Sequence, residues 1–309
     1  MSTDIFDLVI IGGGPAGMTA AIYAGRAQLR TLMLEGMSTG GQMFNTATIE
    51  NYPGFGRIDG PGLSQKMESQ VNEWGVEIQY GQVIEIKQQP ALFELVTLDK
   101  QTLNARAVII AAGSTPKKLK VPGEAEFAGR GVSYCATCDG AFFREQDVAV
   151  VGGGDSAIEE SLYLTRFVNR VTIIHRRDEL RATKHLQERA FADPRIEFLW
   201  DSEVEAIEGE QTVKQLQVKN KKTGIVTPLP AAGVFIYVGM QPNTEFLQGL
   251  VKLDAWGYIE AGEDTLTSIP GIFAAGDIRT KGLRQIVTAV ADGAVAAMAA
   301  ERYLGERGF

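Results

Sequence analysis

The strongest constraint in this sequence is a glycine-rich turn that occurs twice. Leu8-Val9-Ile10-Ile11 reads as a buried strand running into Gly12-Gly13-Gly14-Pro15-Ala16-Gly17, after which an alanine-rich stretch predicts a helix to about Ala27. Asp147-Val148-Ala149-Val150-Val151 runs in the same way into Gly152-Gly153-Gly154-Asp155-Ser156-Ala157, with a helix expected to about Phe167. In such a unit the first glycine permits the tight turn and the second lets the backbone approach a pyrophosphate. The third, or an alanine in its place, lets helix and strand pack closely, with the phosphate at the helix N-terminus. The expected fold class is therefore α/β, with two doubly wound Rossmann-like dinucleotide-binding domains.

The residue that closes the next strand separates the two units. Thr31-Leu32-Met33-Leu34 ends in Glu35, 23 residues after Gly12, where an acid can bind both hydroxyls of an unphosphorylated ribose. Val171-Thr172-Ile173-Ile174 ends in His175, 23 residues after Gly152, followed by Arg176, Arg177 and, one turn on, Arg181. An acid would repel a 2′-phosphate, whereas arginine forks bind one through charge-assisted hydrogen bonds. Two sites of unlike specificity predict two nucleotides. A hydride donor beside a second, tightly held dinucleotide is the arrangement of a flavoprotein, with FAD in the first site and NADPH in the second.

Between the units the chain is expected to form small β-meanders, at about 76–98 and again at about 196–227, each followed by a buried strand, Ala107 to Gly113 and Gly233 to Gly239. Gly271-Ile272-Phe273-Ala274-Ala275-Gly276-Asp277 reads as one more buried strand. If it returns to the first site, as in the family that these motifs together resemble, that domain is discontinuous, 1–115 with 246–309, and 116–245 is an insert.

Both cysteines of the 309-residue chain lie in Tyr134-Cys135-Ala136-Thr137-Cys138-Asp139-Gly140. Half a zinc site would want a second Cys or His pair, and the chain offers only His175 and His185, far along and ten apart, so no metal is expected. As a staple the pair would close too short a loop to constrain the unfolded chain much. The redox use is left, and Asp139 stands where a departing or attacking thiolate needs its proton managed. Two adjacent cysteines fit a reducing, cytoplasmic compartment in which a disulfide is a transient catalytic state. Thirty Lys and Arg against 38 Asp and Glu give a net charge of −8 with no basic tract, which argues against a nucleic-acid partner. The acidic start, Met1 to Asp7, is unlike a signal peptide, and no apolar run approaches a membrane span.

Gly12 to Gly17, Gly41-Gln42, Glu50-Asn51-Tyr52-Pro53-Gly54, Cys135 to Asp139, Gly152 to Ala157, His175-Arg176-Arg177 with Arg181, and Gly276-Asp277 with Arg284-Gln285 stand in the order and spacing of one family. Over essentially its whole length the chain resembles the small, bacterial-type thioredoxin reductases. The resemblance implies the FAD/NAD(P)-binding fold and a homodimer, and reduction of thioredoxin through FAD and a Cys135-Cys138 disulfide, with Asp139 as acid-base group. It implies FAD contacts from Gly12, Gly14, Pro15, Ala16, Gly17, Glu35, Gly36, Gly41 and Gln42, then from Thr46, Asn51, Val83, Ala112 and Gly113. From the tail it adds Gly276, Asp277, Arg284, Gln285, Ile286 and Ala289. NADPH would be held by Gly154, Asp155, Ser156, Ala157, His175, Arg176, Arg177 and Arg181. Other readings are a reductase of another small redox protein, such as a glutaredoxin-like or peroxidase-linked partner, a ferredoxin-dependent variant, or a redox-sensing FAD-binding module without turnover.

Overall fold

The computed structural model describes residues 5–36, 38–46, 49, 51–247 and 249–309, without the side chains of Thr137 and Cys138. Contacts divide the chain into two compact units, Met1–Thr115 with Gln241–Phe309, and Pro116–Met240. The second crossing falls before the 245/246 boundary expected from sequence. Asn243 is fastened to the first unit: its backbone N–H donates to the Gly113 carbonyl at 3.1 Å and its side-chain amide to the Ala112 carbonyl at 2.7 Å.

The first unit opens with β1 (Ile5–Ile11), α1 (Pro15–Arg26), β2 (Thr31–Glu35), α2 (Gly60–Glu73), β3 (Glu77–Tyr80), β4 (Val83–Gln88), β5 (Phe93–Thr97) and β6 (Thr102–Ile110). The sheet order is β3-β2-β1-β6-β5-β4. The β3, β2, β1 and β6 strands run parallel, and β4 and β5 form an antiparallel hairpin whose β5 strand pairs antiparallel with β6. Residues 76–98 are thus not a free meander. The β3 strand joins the parallel sheet because α2 precedes it and supplies the crossover that a parallel pairing requires. That helix starts on Asp59, whose carboxylate accepts the Gly62 N–H at 2.6 Å, with a proline in its first turn.

Two short strands, β7 (Ser114–Pro116) and β8 (Val132–Ser133), and a single turn, α3 (Ala136–Asp139), lead to the second sheet. It follows as β9 (Asp147–Gly152), α4 (Asp155–Leu164), β10 (Arg170–Ile174), α5 (Lys184–Ala192), β11 (Ile196–Leu199), β12 (Ser202–Gly209), β13 (Val213–Asn220), β14 (Val226–Pro230) and β15 (Gly233–Tyr237). The parallel sheet is ordered β11-β10-β9-β15-β8, and β12-β13-β14 form a separate antiparallel sheet. Here too the first strand of the expected meander, β11, belongs to the parallel sheet, brought there by α5.

The chain returns through β16 (Met240–Pro242), which pairs with β7, then β17 (Ile272–Ala274) and α6 (Ile286–Glu306). The β6 strand shares one edge between two partners: residues 102–105 pair with β5 and residues 108–110 with β17. Helices α1, α2 and α6 cover one face of this sheet over Leu8, Ile10, Met33 and Ile109. Val9, Ile11, Leu32, Leu34 and Ile110 face a second apolar layer containing Leu247, Ile259 and Ile278. In the second unit Val148, Val150 and Ile173 pack under α4 and α5, while Ala149, Val151 and Val234 pack against the antiparallel sheet. Burial on both faces is what continuous apolar strands need.

Candidate functional site

The first cradle sits where β1 ends. Gly12 has φ +108°, and a Cβ there would lie 2.4 Å from the Ala111 carbonyl oxygen. A Cβ on Gly17 would lie 1.7 Å from the Gly12 oxygen, so α1 crosses β1 with no room for a side chain. Around the Cβ position of Gly14, which caps α1, there is open space, and no acid occupies the first turn, so the helix's free N–H groups can meet an anion. Pro15 starts the helix and Ala16 is buried behind it. The Gly13 N–H donates to Glu35 Oε2 at 2.6 Å, which fixes that carboxylate beside the turn, next to the open position of Gly36.

Other expected residues gather around this turn. The Gly40 N–H donates to the Gly13 carbonyl at 2.8 Å and the Cβ position of Gly41 lies 3.4 Å from Gly14 Cα, so the segment carrying exposed Gly41 and Gln42 lies over the fingerprint. From the tail, Gly276 has φ +78°, and its Cβ position would fall 2.9 Å from that of Ala16 and 3.7 Å from that of Ala289. Asn51 donates to Gln285 Oε1 at 3.0 Å, and Gln285 caps α6 just before Ile286 through a reciprocal capping box with Thr288. Thr46 is half-buried, its carbonyl accepting the Gly60 N–H at 2.7 Å. Val83 is buried in the sheet, and half-buried Ala112 and Gly113 follow β6. Glu50 lies outside the described residues.

Two polar atoms here are buried without a partner in the protein, Asp277 Oδ1 and Arg284 Nε. Burial pushes the Asp277 carboxyl up, a trend that Lys281 and Arg284 oppose. Buried groups of this kind need partners. Together with the open, acid-free end of α1 and the acid at Glu35, they fit a dinucleotide carrying a pyrophosphate, an unphosphorylated ribose and a further polyhydroxyl chain. Behind the turn lies a cluster that sequence reasoning missed. Asp292 accepts Arg279 Nε at 2.8 Å, a second Arg279 nitrogen at 2.6 Å, Lys281 Nζ at 2.8 Å and the Gly276 N–H at 2.9 Å. Burial alone would raise the Asp292 carboxyl; these partners hold it below the usual carboxylate range. The sequence signal for it is an acid on the apolar face of an alanine-rich helix.

The second cradle repeats the first with one inversion. Gly154 again caps its helix and faces open space, and a Cβ on Gly152 would meet the Tyr237 carbonyl oxygen at 2.5 Å. Ala157 is buried against Gly152 and Ser156 is exposed. Asp155 Oδ1 accepts the Thr183 N–H at 2.6 Å, and the Arg181 N–H donates to the Gly153 carbonyl at 2.7 Å, folding the arginine segment over the turn. Arg176, Arg177 and Arg181 are exposed beside it. His175 differs from them. It is 5% exposed, and a Cβ on Gly153 would lie 2.4 Å from its ring, so the imidazole fills the space above the glycine. Burial lowers its basicity, the three arginines lower it further, and its Nε2 has no partner in the protein. Arginine positions thus present a cationic rim suited to a phosphorylated ribose, over a neutral histidine floor.

The cysteine segment belongs to the second unit. Cys135, half-buried after β8, is disulfide-bonded; the side chain of Cys138 lies outside the described residues. Ser133, which the sequence did not single out, organises this turn. Its Oγ donates to Asp139 Oδ2 at 2.6 Å and accepts the Cys135 N–H at 3.1 Å. The Ala136 N–H donates to the Tyr237 hydroxyl at 2.7 Å, and Tyr134 donates to Glu124 at 2.6 Å. A disulfide with a carboxyl group anchored one turn away can be opened with a proton at hand.

Residues 6–293 match the family of pyridine nucleotide-disulphide oxidoreductases. The chain is 52% identical over 303 residues to a protein of Listeria monocytogenes named thioredoxin reductase, covering 98% of this chain and 95% of that one. A thioredoxin reductase of Bacillus subtilis is 50% identical over 303 residues, covering 98% and 96%. The crystal structure of Lactococcus lactis thioredoxin reductase in its FR conformation superposes with a TM-score of 0.93 at 51% identity, covering 97% of this chain and 99% of that chain.

Proposed function

Because the chain belongs to the thioredoxin reductases, within the pyridine nucleotide-disulphide oxidoreductases, we propose that it reduces the disulfide of a thioredoxin with electrons from NADPH. The observation that carries this reading is the disulfide at Cys135, held in one unit with a cradle whose rim is arginine, while the other unit holds a cradle whose rim is glutamate. The unit of residues 1–115 with 241–309 would be the FAD domain and the unit of residues 116–240 the NADPH domain. FAD would be held by the Gly12 to Gly17 turn, Glu35 and the Gly276-Asp277 turn, with Arg284 and Asp277 giving their unpartnered atoms to it. NADPH would be held by Gly154 to Ala157 and the three arginines, with His175 as the floor rather than the rim. When bound, the flavin supplies a two-electron relay between a reduced nicotinamide and a disulfide.

The chain's own residues do the rest. The Cys135-Cys138 bond takes up an electron pair and breaks, leaving one sulfur to be protonated and the other as thiolate. Asp139, held by Ser133, moves that proton. A thiolate of the pair then attacks the partner's disulfide to form a mixed disulfide, and the second sulfur displaces it, so the partner leaves as a dithiol and the enzyme pair is closed again. The reading includes a homodimer and a cytoplasmic location; among the described residues no helix is long and apolar enough to cross a membrane.

Anaerobic addition of NADPH to the holoprotein is expected to bleach the flavin absorbance, and addition of oxidised thioredoxin to restore it with the appearance of thioredoxin thiols. Cys135→Ser should keep the bleaching and lose thioredoxin reduction. Bleaching without thiol transfer in the native protein would leave a sensing module, and thiol transfer surviving in Cys135→Ser would overturn the dithiol route.

A further inference from the structure

One buried acid takes no part in this scheme. Glu160 lies on α4 one turn before Leu164, so the two share a face of the helix. That face covers the cysteine turn: a Cβ on Gly140, the residue after Asp139, would lie 2.9 Å from Leu164 Cδ2 and 3.9 Å from Tyr163. Glu160 Oε2 is buried with no partner. Tyr237, at the end of β15, packs in the same apolar layer as Ala157, Ile158 and Leu164 of α4, and its hydroxyl accepts the N–H of Ala136, the residue after Cys135.

We propose that Glu160 is a positioning residue for the redox pair: a carboxyl on the helix that covers the disulfide turn whose charge, acting through Tyr237, sets how readily the reduced pair gives up its first proton. The inference rests on the dithiol reading of Cys135 and Cys138. Reduction by NADPH with one proton from water turns a neutral disulfide into two thiols, and loss of a proton makes the attacking thiolate. A thiolate and a buried carboxylate repel each other, so whichever ionises first delays the other, and their titrations are shared.

The surroundings place this exchange near neutrality. Burial, with Glu159 adding to it, pushes the Glu160 carboxyl up to about 7. Tyr237 is itself held protonated well above its usual range by burial, then by the charges of Glu160 and of Asp139 on α3. Glu159, on the same helix, is raised by burial and by Asp155, and lowered by Arg189 of α5. Tyr237 thus feels two acids, Asp139 in the cysteine turn and Glu160 on α4.

The test measures thiol reactivity directly. The FAD-loaded enzyme is reduced with a small dithiol, freed of it anaerobically, and alkylated with iodoacetamide from pH 5 to 9. In Glu160→Gln the midpoint of the alkylation rate should fall by about half a pH unit or more. Glu159→Gln, a change on the same helix that tests the coupling even if the Glu160 variant folds poorly, removes a charge that holds the Glu160 carboxyl up, so Glu160 ionises earlier and the midpoint should move the other way, upward, by less. Unaltered flavin absorbance and melting temperature would accompany both. Superimposable profiles for the native enzyme and a folded Glu160→Gln would overturn the proposal, as would a shift from neither variant. NADPH-driven thioredoxin reduction, measured on the same samples, reports separately on the function itself.

Discussion

Arg176 and Arg177 reach solvent beside Gly154, while His175, one residue earlier, is folded under them. On the proposed assignment, cofactor choice falls to the arginines. Replacing both with glutamine should raise the KM for NADPH by at least about tenfold, since a hydrogen bond to a charged group contributes about 1.5–3 kcal/mol, and should alter the KM for NADH little. Equal losses for the two nucleotides would remove the 2′-phosphate from the assignment. At this scale sequence was most informative about which residues stand beside the two glycine turns. Glu35 and the arginines were legible because a strand end fixes their position relative to a glycine turn. Ser133, Glu160 and Asp292 were not, because each acts through a partner that no local pattern announces: Ser133 through Asp139, Glu160 through Tyr237, Asp292 through Arg279. His175 was legible as a position and not as an orientation, which depends on the missing side chain of Gly153.

Helix α6 lies against α1 at a contact only glycine can make. A Cβ on Gly293 would fall 2.1 Å from the Ala16 carbonyl oxygen and 3.0 Å from Thr19 Cβ. Gly293→Ala should therefore force the helices apart and lower stability by about 1–3 kcal/mol. Because Ala16 and Ala289 flank Gly276, it should also lower the flavin-to-protein absorbance ratio of the purified enzyme. Gly305→Ala, on the same helix with nothing within 4 Å of the added methyl group, is the control and should be neutral or slightly stabilising. If both variants behave alike, the close crossing is not what holds the site. Elements announced by a fingerprint were readable from their residues: β1, α1, β9 and α4 stand close to where the pattern put them. The misassigned strands were β3 and β11. Both are short, and alternation within four residues cannot tell a meander strand from the edge of a parallel sheet. What decides is the helix before each, α2 and α5, whose polar composition hid them.

Each unit has apolar layers on both faces of its own sheet, so each can melt by itself. Calorimetry of the flavin-free protein should show two transitions. One should move up with added FAD, by about 2.7 kcal/mol at a hundredfold excess over Kd, and the other should respond to NADP+ alone. A single transition that answers to both nucleotides would mean that the units unfold as one. The interruption of the first unit by the second also fixes a schedule for synthesis. While a nascent chain is being made, Met240 emerges and the second unit is complete before β17 or α6 exists. Until then residues 108–110 of β6 lack the strand that closes their edge, and α1 lacks its lid. A chain that has grown only to Met240 can thus hold a finished second unit but not a finished first cradle, so on the proposed assignment flavin is captured only after α6 has been added.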